Sequence, residues 1–292
     1  MTALVLGGTK YIGIHLVNQL IAAGHDVTIA TRGNIPDSFG DKVKRLKIDR
    51  RNPDSLCDAF KNKSYDITVD NIAYSSNDVR YLLEHLNTSK YILTSTVSVY
   101  SNHFHENMHE SEVDTKAYPL KWCNYEDFEY DEAKRQAEAA LFQAYSNLSS
   151  SAVRFPYIFG EDDYTQRLYF YVHRIYTGQA IHVDNTTARL SFINSHEAGQ
   201  FLFHAATKPV YGYVNAGSAG TISIEEIIAY TEKQTGKKAI IHEDGETATL
   251  NGVPSLGLDT HLASSTGFKF MNIKDWVYPL IDKWISNLSK GA

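Results

Sequence analysis

A tyrosine and a lysine lie one helical turn apart, and a hydroxyl side chain ends a predicted strand earlier in the chain. Tyr130 and Lys134 are four residues apart in a helical pattern, so the phenol and the ammonium share one face. Thr96 follows the apolar strand pattern of Lys90 to Ser95. An ammonium lowers the pKa of a neighbouring phenol, which can then exchange a proton with a substrate oxygen. Because the chain has 19 tyrosines, such a pair is expected by chance, and its position must support the interpretation.

The beginning of the sequence supplies that support. Ala3 to Leu6 form a short apolar run, Gly7 and Gly8 interrupt it, and a helical apolar pattern begins at Ile12. A second strand pattern follows at residues 26–31. This order predicts a dinucleotide-binding unit. Glycines let the backbone approach a pyrophosphate, whose charge is stabilised by the N–H groups and the dipole of the helix N-terminus.

Strand and helix patterns alternate through the first half of the chain, which predicts an α/β fold with a doubly wound parallel sheet of the Rossmann type. After Gly160 the pattern changes to an aromatic-rich segment. We therefore predict a dinucleotide-binding core at residues 1–160, joined by part of 189–215, and a smaller C-terminal substrate lobe at 161–188 and 216–292. The further strands are predicted at 43–48, 66–72, 90–95 and 151–155. The further helices are predicted at 52–60, 77–86, 127–145, 195–206 and 272–288. A capping box at 223–226 predicts the start of one more helix.

The polar segment Ser101 to Asn124 interrupts this alternation. Its length and composition predict a loop over the site. It contains His103, His105 and His109 together with glutamates, but their spacing matches no standard metal-binding pattern. We predict a solvated polar loop and no metal site.

Composition narrows the classes of function. The 292 residues carry a net charge of −6, which argues against a general nucleic-acid binder or a protein of anionic membranes. Two cysteines, Cys57 and Cys123, exclude a disulfide scaffold and fit a reducing compartment. No apolar run reaches membrane-spanning length. We expect a cytoplasmic protein that binds a small-molecule substrate and neither nucleic acid nor membrane, with a homodimer left open.

Together these motifs resemble the extended and atypical branch of the short-chain dehydrogenase/reductase superfamily, the NAD(P)-dependent epimerase/dehydratase-like proteins. The resemblance covers nearly the whole chain. Besides the turn, Thr96, Tyr130 and Lys134, the segments that carry it are Asp49, Asn71-Ile-Ala73, Val153-Arg-Phe-Pro156 with Gly160, Phe192-Ile193 and Tyr213-Val-Asn215-Ala-Gly217.

The resemblance implies a role for each catalytic residue. Tyr130 would give or take the proton of the substrate hydroxyl or carbonyl, and Thr96 would position the reacting oxygen. Lys134 would lower the pKa of the phenol and bind the nicotinamide ribose. The cofactor-binding residues implied are Gly7, Thr9, Lys10, Tyr11, Ile12, Gly13, Arg32, Asp49, Asn71, Ala73 and Phe155.

The activity implied is hydride transfer between a nicotinamide and a secondary alcohol or carbonyl, by an oxidoreductase or an epimerase-like enzyme. A sugar or a nucleotide sugar is the substrate class to consider. The turn Gly7-Gly8-Thr9-Lys10 also resembles the chloroplast stem-loop-binding group, which keeps the fold for an RNA-associated role. The alternative is therefore a non-catalytic NAD(P)-binding regulatory or RNA-associated protein.

Departures from the family pattern refine these expectations. Tyr157 replaces an asparagine of nucleotide-sugar enzymes. Val97-Ser98-Val99 lacks the Asp-Glu pair that the resembling dehydratases use, so dehydration is not expected. Lys10 replaces the middle glycine of the turn. The second strand ends in Thr31-Arg32 with no acid, and a guanidinium can grip a 2′-phosphate that a carboxylate would repel. We predict NADP as the cofactor, with NAD as the alternative.

Overall fold

The structure, a computed structural model, describes residues 1–290. This part of the chain forms twelve strands: β1 (Thr2–Leu6), β2 (Asp26–Thr31), β3 (Val43–Lys47), β4 (Ser64–Asp70), β5 (Asn87–Thr96), β6 (Ser149–Phe155), β7 (Tyr157–Phe159), β8 (Ala180–His182), β9 (Phe192–Asn194), β10 (Gly212–Asn215), β11 (Ile240–Ile241) and β12 (Glu246–Thr247). Seven of them form one parallel sheet in the order β3-β2-β1-β4-β5-β6-β10. Its chain order reverses between β1 and β4, which confirms the doubly wound α/β fold.

Nine α-helices accompany the strands within residues 1–290: α1 (Ile12–Ala22), α2 (Pro53–Phe60), α3 (Ser76–Leu83), α4 (Tyr130–Ala139), α5 (Tyr169–Thr177), α6 (Ser195–Thr207), α7 (Ile224–Thr235), α8 (His261–Ser265) and α9 (Ile273–Lys290). Apolar side chains of α1 and α6 pack on one face of the sheet, and those of α2, α3 and α4 pack on the other. Helices on both faces bury the sheet, so the interior residues of β1 have no solvent exposure.

The sequence explains where several of these helices begin. The Asn52 side chain accepts hydrogen bonds from the backbone N–H groups of Asp54 and Ser55, and Pro53 occupies the first helical position. The predicted capping box is confirmed, because Ser223 and Glu226 exchange side-chain to backbone hydrogen bonds at the start of α7.

One predicted helix is shorter than expected. The sequence pattern predicts 127–145, whereas α4 covers Tyr130–Ala139. Asn124 and Asp127 close a separate short turn, and the backbone is extended at Phe128 and Glu129, so the helix begins only at Tyr130. At its other end the helix continues as a π-helix over Ala140–Ala144, close to the predicted end.

A second core lies against the carboxyl edge of the sheet. It is built from α5, α7 and α9, from the parallel pair β7 and β9, and from a three-stranded sheet in the order β11-β8-β12. No helix within residues 1–290 combines the length and the apolar character that crossing a membrane would require.

Candidate active site

A cleft of about 860 Å³ lies beyond the carboxyl ends of the central strands. Ligands of doubly wound sheets bind at this edge, where the strand order reverses. Its walls come from residues 7–12 after β1, 30–35 after β2, 48–51 after β3, 71–78 after β4, 94–98 at the end of β5, two residues of α4, 155–158 after β6, and 164–167. None of the residues 101–124 lines it, so the prediction of a loop over the site is wrong.

The turn between β1 and α1 has no room for larger residues. Gly7 has φ +74, a conformation that favours glycine, and a Cβ on Gly13 would lie 2.1 Å from the Gly7 carbonyl oxygen. Tyr11 also has a positive φ, of 53°, and its hydroxyl donates a hydrogen bond to the Ile158 carbonyl. The backbone can therefore pass close to a phosphate group at the start of α1.

A buried side-chain NH2 group beside the turn has no hydrogen-bond partner among residues 1–290. Asn71 follows β4, and its Oδ1 accepts a hydrogen bond of 2.7 Å from the Thr94 hydroxyl. Its Nδ2 is buried without a hydrogen-bond acceptor. Buried donors normally have partners, so this group fits a polar ligand in the cleft.

Lys134 is a buried ammonium group held by backbone carbonyls. It is 2% exposed, and its Nζ donates hydrogen bonds of 2.8 Å to Ala73 O and 2.6 Å to Thr94 O. Burial lowers the pKa of Lys134 to about 8, although the negative charge of Glu138 acts in the opposite direction. An ammonium has three N–H groups, so one remains for a ligand.

Tyr130 begins α4 at the wall of the same cleft and is 39% exposed. The surrounding protein removes water from the phenol, which raises the pKa of Tyr130 to about 12, and a hydrogen bond with the Thr96 hydroxyl acts in the opposite direction. Thr96 Oγ1 itself accepts a hydrogen bond of 3.2 Å from the Ser98 N–H. The structure thus places Tyr130 and Thr96 on the wall of the same cleft.

The remaining predicted cofactor-binding residues fall into two groups. The cleft wall includes Thr9, Lys10, Ile12, Arg32, Asp49 and Phe155. Ala73 lies behind the wall, fully buried, and contributes only the carbonyl that Lys134 contacts. Lys10 Nζ lies 5.7 Å from the centroid of the Tyr164 ring, so it faces the 164–167 segment.

Sequence reasoning missed a buried charge network under the cleft. Asp70 has no solvent exposure and accepts two hydrogen bonds, of 2.9 and 3.0 Å, from Arg50 and one from Tyr91. Burial would raise the pKa of Asp70, but the Arg50 guanidinium holds it below its usual value. Arg50 also pairs with Asp78 of α3. The signal available in the sequence was a carboxylate at the end of the strand pattern Ile67-Thr-Val-Asp70.

A second network shows what the 101–124 segment does. Arg154 has no solvent exposure and donates two hydrogen bonds to the Glu138 carboxylate. It also donates to the carbonyls of Glu110 and Val113, so it holds the segment to β6 and α4. Within residues 1–290 no group of three histidine, cysteine or acidic side chains is arranged to hold a metal ion.

Comparison with known proteins adds to this geometry. Residues 3–82 match the model of the NAD dependent epimerase/dehydratase family. The chain is 26% identical over 270 residues to the chloroplast stem-loop binding protein of 41 kDa b from Arabidopsis thaliana, covering 80% of this chain and 68% of that protein.

Solved structures of epimerases share the fold over nearly the whole chain. The UDP-glucose 4-epimerase of Thermotoga maritima, solved with UDP-glucose, has a TM-score of 0.77 at 16% identity and covers 100% of this chain and 99% of its own. The UDP-glucose 4-epimerase of Thermus thermophilus, solved with NAD, has a TM-score of 0.71 at 15% identity, with 97% and 99% covered. The comparisons confirm the resemblance to the epimerase/dehydratase family and to extended short-chain dehydrogenase/reductase enzymes.

Proposed function

We propose that the protein is a nicotinamide-dependent oxidoreductase or epimerase-type enzyme that acts on a secondary alcohol or carbonyl. The observation that carries this proposal is that Tyr130, Thr96 and Lys134 all line the cleft that contains the glycine turn. A protein that only binds a nucleotide would not need a phenol and a hydroxyl in the same cleft as a buried ammonium. The family match and the epimerase folds support the same class of enzyme.

The proposed proton transfer is local to these side chains. The Tyr130 hydroxyl gives its proton to a carbonyl oxygen, or its phenolate removes the proton of a hydroxyl, and the Thr96 hydroxyl donates a hydrogen bond to the same oxygen. The positive charge of Lys134 stabilises the phenolate. A bound nicotinamide supplies the hydride donor or acceptor.

The residues present fit such a cofactor. The turn at Gly7 and Gly13 leaves space for a pyrophosphate at the start of α1, and the unpartnered Nδ2 of Asn71 offers a donor beside it. The third N–H of Lys134 is suited to a ribose hydroxyl.

A preference for NADP(H) is part of the proposal. Arg32 lies where β2 ends, at the cleft wall, and forms no ion pair with a carboxylate among residues 1–290. A free guanidinium can bind a 2′-phosphate through two parallel hydrogen bonds. NAD remains the alternative, since the Thermus thermophilus epimerase was solved with it.

A sugar, free or nucleotide-linked, is the substrate class we propose. The Thermotoga maritima epimerase was solved with UDP-glucose, which supports a sugar hydroxyl as the reacting group. Tyr157 at the cleft wall weakens the case for a nucleotide diphosphate.

Replacing Tyr130 tests the function. Tyr130→Phe removes the transferable proton and keeps the ring, so NADPH binding should persist while turnover falls by roughly 10²–10⁴-fold. The measurement is NADPH oxidation with a substrate found by screening ketosugars and their relatives. Tyr211→Phe, at an exposed tyrosine outside the cleft, is the control and should match wild type. Equal turnover by wild type and Tyr130→Phe would refute the proposal.

One observation favours a second candidate, an RNA-associated protein. It is the 26% identity to a chloroplast stem-loop binding protein. The net charge of −6 opposes it, because RNA binding is driven by contacts between cationic side chains and phosphates. Titration of a labelled RNA stem-loop at physiological salt separates the two. Saturable RNA binding by a protein that turns over no screened carbonyl compound would favour the second candidate.

A further inference from the structure

The cleft is cationic although the protein is acidic. Its walls carry two acidic side chains, Asp49 and Asp78, and six cationic ones, in a chain with a net charge of −6. The six cationic residues are Lys10, Arg32, Arg50, Arg51, Lys134 and Arg167. Such a concentration of one sign of charge favours anionic ligands.

Three of these six positive charges already have partners in the protein. Arg50 is paired with Asp70 and Asp78, and Arg51 forms an ion pair of 2.6 Å with Glu126. Lys134 is held by two carbonyl oxygens. The others are Lys10 and Arg32, which the proposed cofactor would use, and Arg167.

Arg167 is half-buried and forms no ion pair among residues 1–290. Two acids of its own segment bind other groups: Asp162 accepts hydrogen bonds from His15 and Ser195, and Asp163 Oδ1 accepts two from Thr165, while Asp163 Oδ2 is buried without a hydrogen-bond partner among residues 1–290. The guanidinium carbon lies 5.9 Å from the centroid of the Tyr157 ring, an arrangement that orients the planar group without neutralising it.

The positive charge of Arg167 influences two phenol groups of the cleft, those of Tyr130 and Tyr157. Burial raises the pKa of Tyr130 and of Tyr157, and the charge of Arg167 opposes the rise at both hydroxyls. The turn that carries Arg167 is fixed, because the Asp163 carboxylate accepts hydrogen bonds from both the backbone and the hydroxyl of Thr165. Arg167 and Tyr130 line the same cleft, and Arg167 lies at the Tyr157 ring.

We propose that Arg167 binds an oxyanion group of the substrate, a carboxylate or a phosphate, while Tyr130 contacts the hydroxyl or carbonyl that reacts. The guanidinium fork matches both oxyanions through two parallel hydrogen bonds. This inference rests on the proposed function and names its substrate class, an anionic hydroxy or keto compound such as an acidic or phosphorylated sugar.

Three related probes test this assignment. NADPH-saturated protein is titrated calorimetrically with D-glucuronate, α-D-glucose 1-phosphate and D-glucose, which share a ring and differ in charge. At least one anion should bind more tightly than glucose, and Arg167→Gln should weaken that binding about 10- to 100-fold, the usual effect of losing a hydrogen bond to a charged group. Arg167→Lys should recover part of the loss. The anion that depends on Arg167 identifies the group as carboxylate or phosphate.

Arg80→Gln is the matched control, since it removes the same charge from a residue that stacks on Trp122 outside the cleft. It should bind the anion as wild type does. Equal affinity for glucose and both anions, absence of saturable anion binding by wild type, or unchanged anion binding by Arg167→Gln would each overturn the proposal. So would an Arg167→Gln protein whose NADPH affinity falls as far as its anion affinity, because Arg167 would then serve the cofactor.

The same experiment separates this proposal from the proposed function. Tyr130→Phe should keep the tighter binding of the anion relative to glucose, because it keeps Arg167. Arg167-dependent anion binding by a wild-type protein that turns over no screened compound would contradict the proposed enzyme and leave the anion site standing.

Discussion

At the scale of single residues, the buried ammonium of Lys134 destabilises the fold but provides a positive charge in the cleft. A buried ammonium is unfavourable unless it is hydrogen-bonded, and here the backbone carbonyls of Ala73 and Thr94 accept hydrogen bonds from two of its three N–H groups. Burial still lowers its pKa to about 8. The site therefore holds a lysine whose proton is loosely bound near the pH at which the enzyme would work.

Lys134 should make the stability of the cofactor-free protein depend on pH. Its pKa is about 8 in the folded protein and 10.5 in the reference state, so between these values the unfolded chain binds more protons and stability rises with pH. Relative to Lys134→Met, wild type should gain about 2–3 kcal/mol between pH 7 and 10. Urea unfolding of both proteins across this range measures the difference.

Lys90 is a second buried lysine whose replacement provides a comparison. Burial lowers the pKa of Lys90 to about 8 as well, and its Nζ donates to the carbonyls of Ala205 and Lys208. Relative to Lys90→Met, wild type should also gain stability between pH 7 and 10, at a site outside the cleft. A difference between wild type and Lys134→Met that stays constant from pH 7 to 10 would contradict the buried protonated lysine.

Residue types and spacing predicted candidates for chemistry, but not their partners. Tyr130 and Lys134 could be singled out because four residues separate neighbours on a helix face. The free Nδ2 of Asn71 could not be predicted, because its other amide atom is occupied by Thr94 from a neighbouring strand. The same holds for Arg154, which is fully buried and paired with Glu138 of α4.

At the scale of elements, the turn between β1 and α1 determines whether a dinucleotide can bind. Gly13→Ala would place a Cβ 2.1 Å from the Gly7 carbonyl oxygen, and backbone cannot move aside cheaply. Overpacking of this kind costs about 1–3 kcal/mol. Because the turn must move away from the phosphate to relieve the contact, NADPH binding should weaken by about 5- to 150-fold, which is the same free energy expressed as affinity. Fluorescence titration of NADPH measures the affinity.

Gly8→Ala is the matched comparison. Its Cβ would meet side-chain methyl groups of Ile29, Val17 and Val5 at 3.0–3.3 Å, and side chains can adjust. It should lose less affinity than Gly13→Ala. The reverse order would mean that close packing at Gly13 does not shape the nucleotide site.

The order and type of the elements of the main sheet followed from periodicity, because long apolar patterns are buried on both sides of a parallel sheet. Boundaries depended on local interactions that a pattern does not contain. The start of α4 is an example, since the separate turn closed by Asn124 and Asp127 delays the helix to Tyr130. The 101–124 segment was predicted over the cleft because it is long and polar, whereas Arg154 holds it against β6 and α4, outside the cleft wall.

At the scale of the whole molecule, the cleft is a product of the strand order. Segments from the ends of six strands converge on it, together with α4 and the 164–167 segment of the second core. Unfolding any of these segments would remove part of the binding site. Ligand binding should therefore stabilise the entire fold.

The cofactor can be identified through that stabilisation. A ligand present at 100 times its dissociation constant adds about 2.7 kcal/mol to the free energy of unfolding, which corresponds to a rise in melting temperature of about 4 °C for a chain of this size. Because Arg32 is an unpaired cation at the end of β2, NADPH should raise the melting temperature more than NADH at the same concentration. Arg32→Gln should remove most of this difference. Arg45→Gln, whose charge is paired with Asp37 outside the cleft, should retain it. Equal shifts for NADPH and NADH, or a larger shift for NADH that Arg32→Gln leaves unchanged, would contradict the preference for NADP(H).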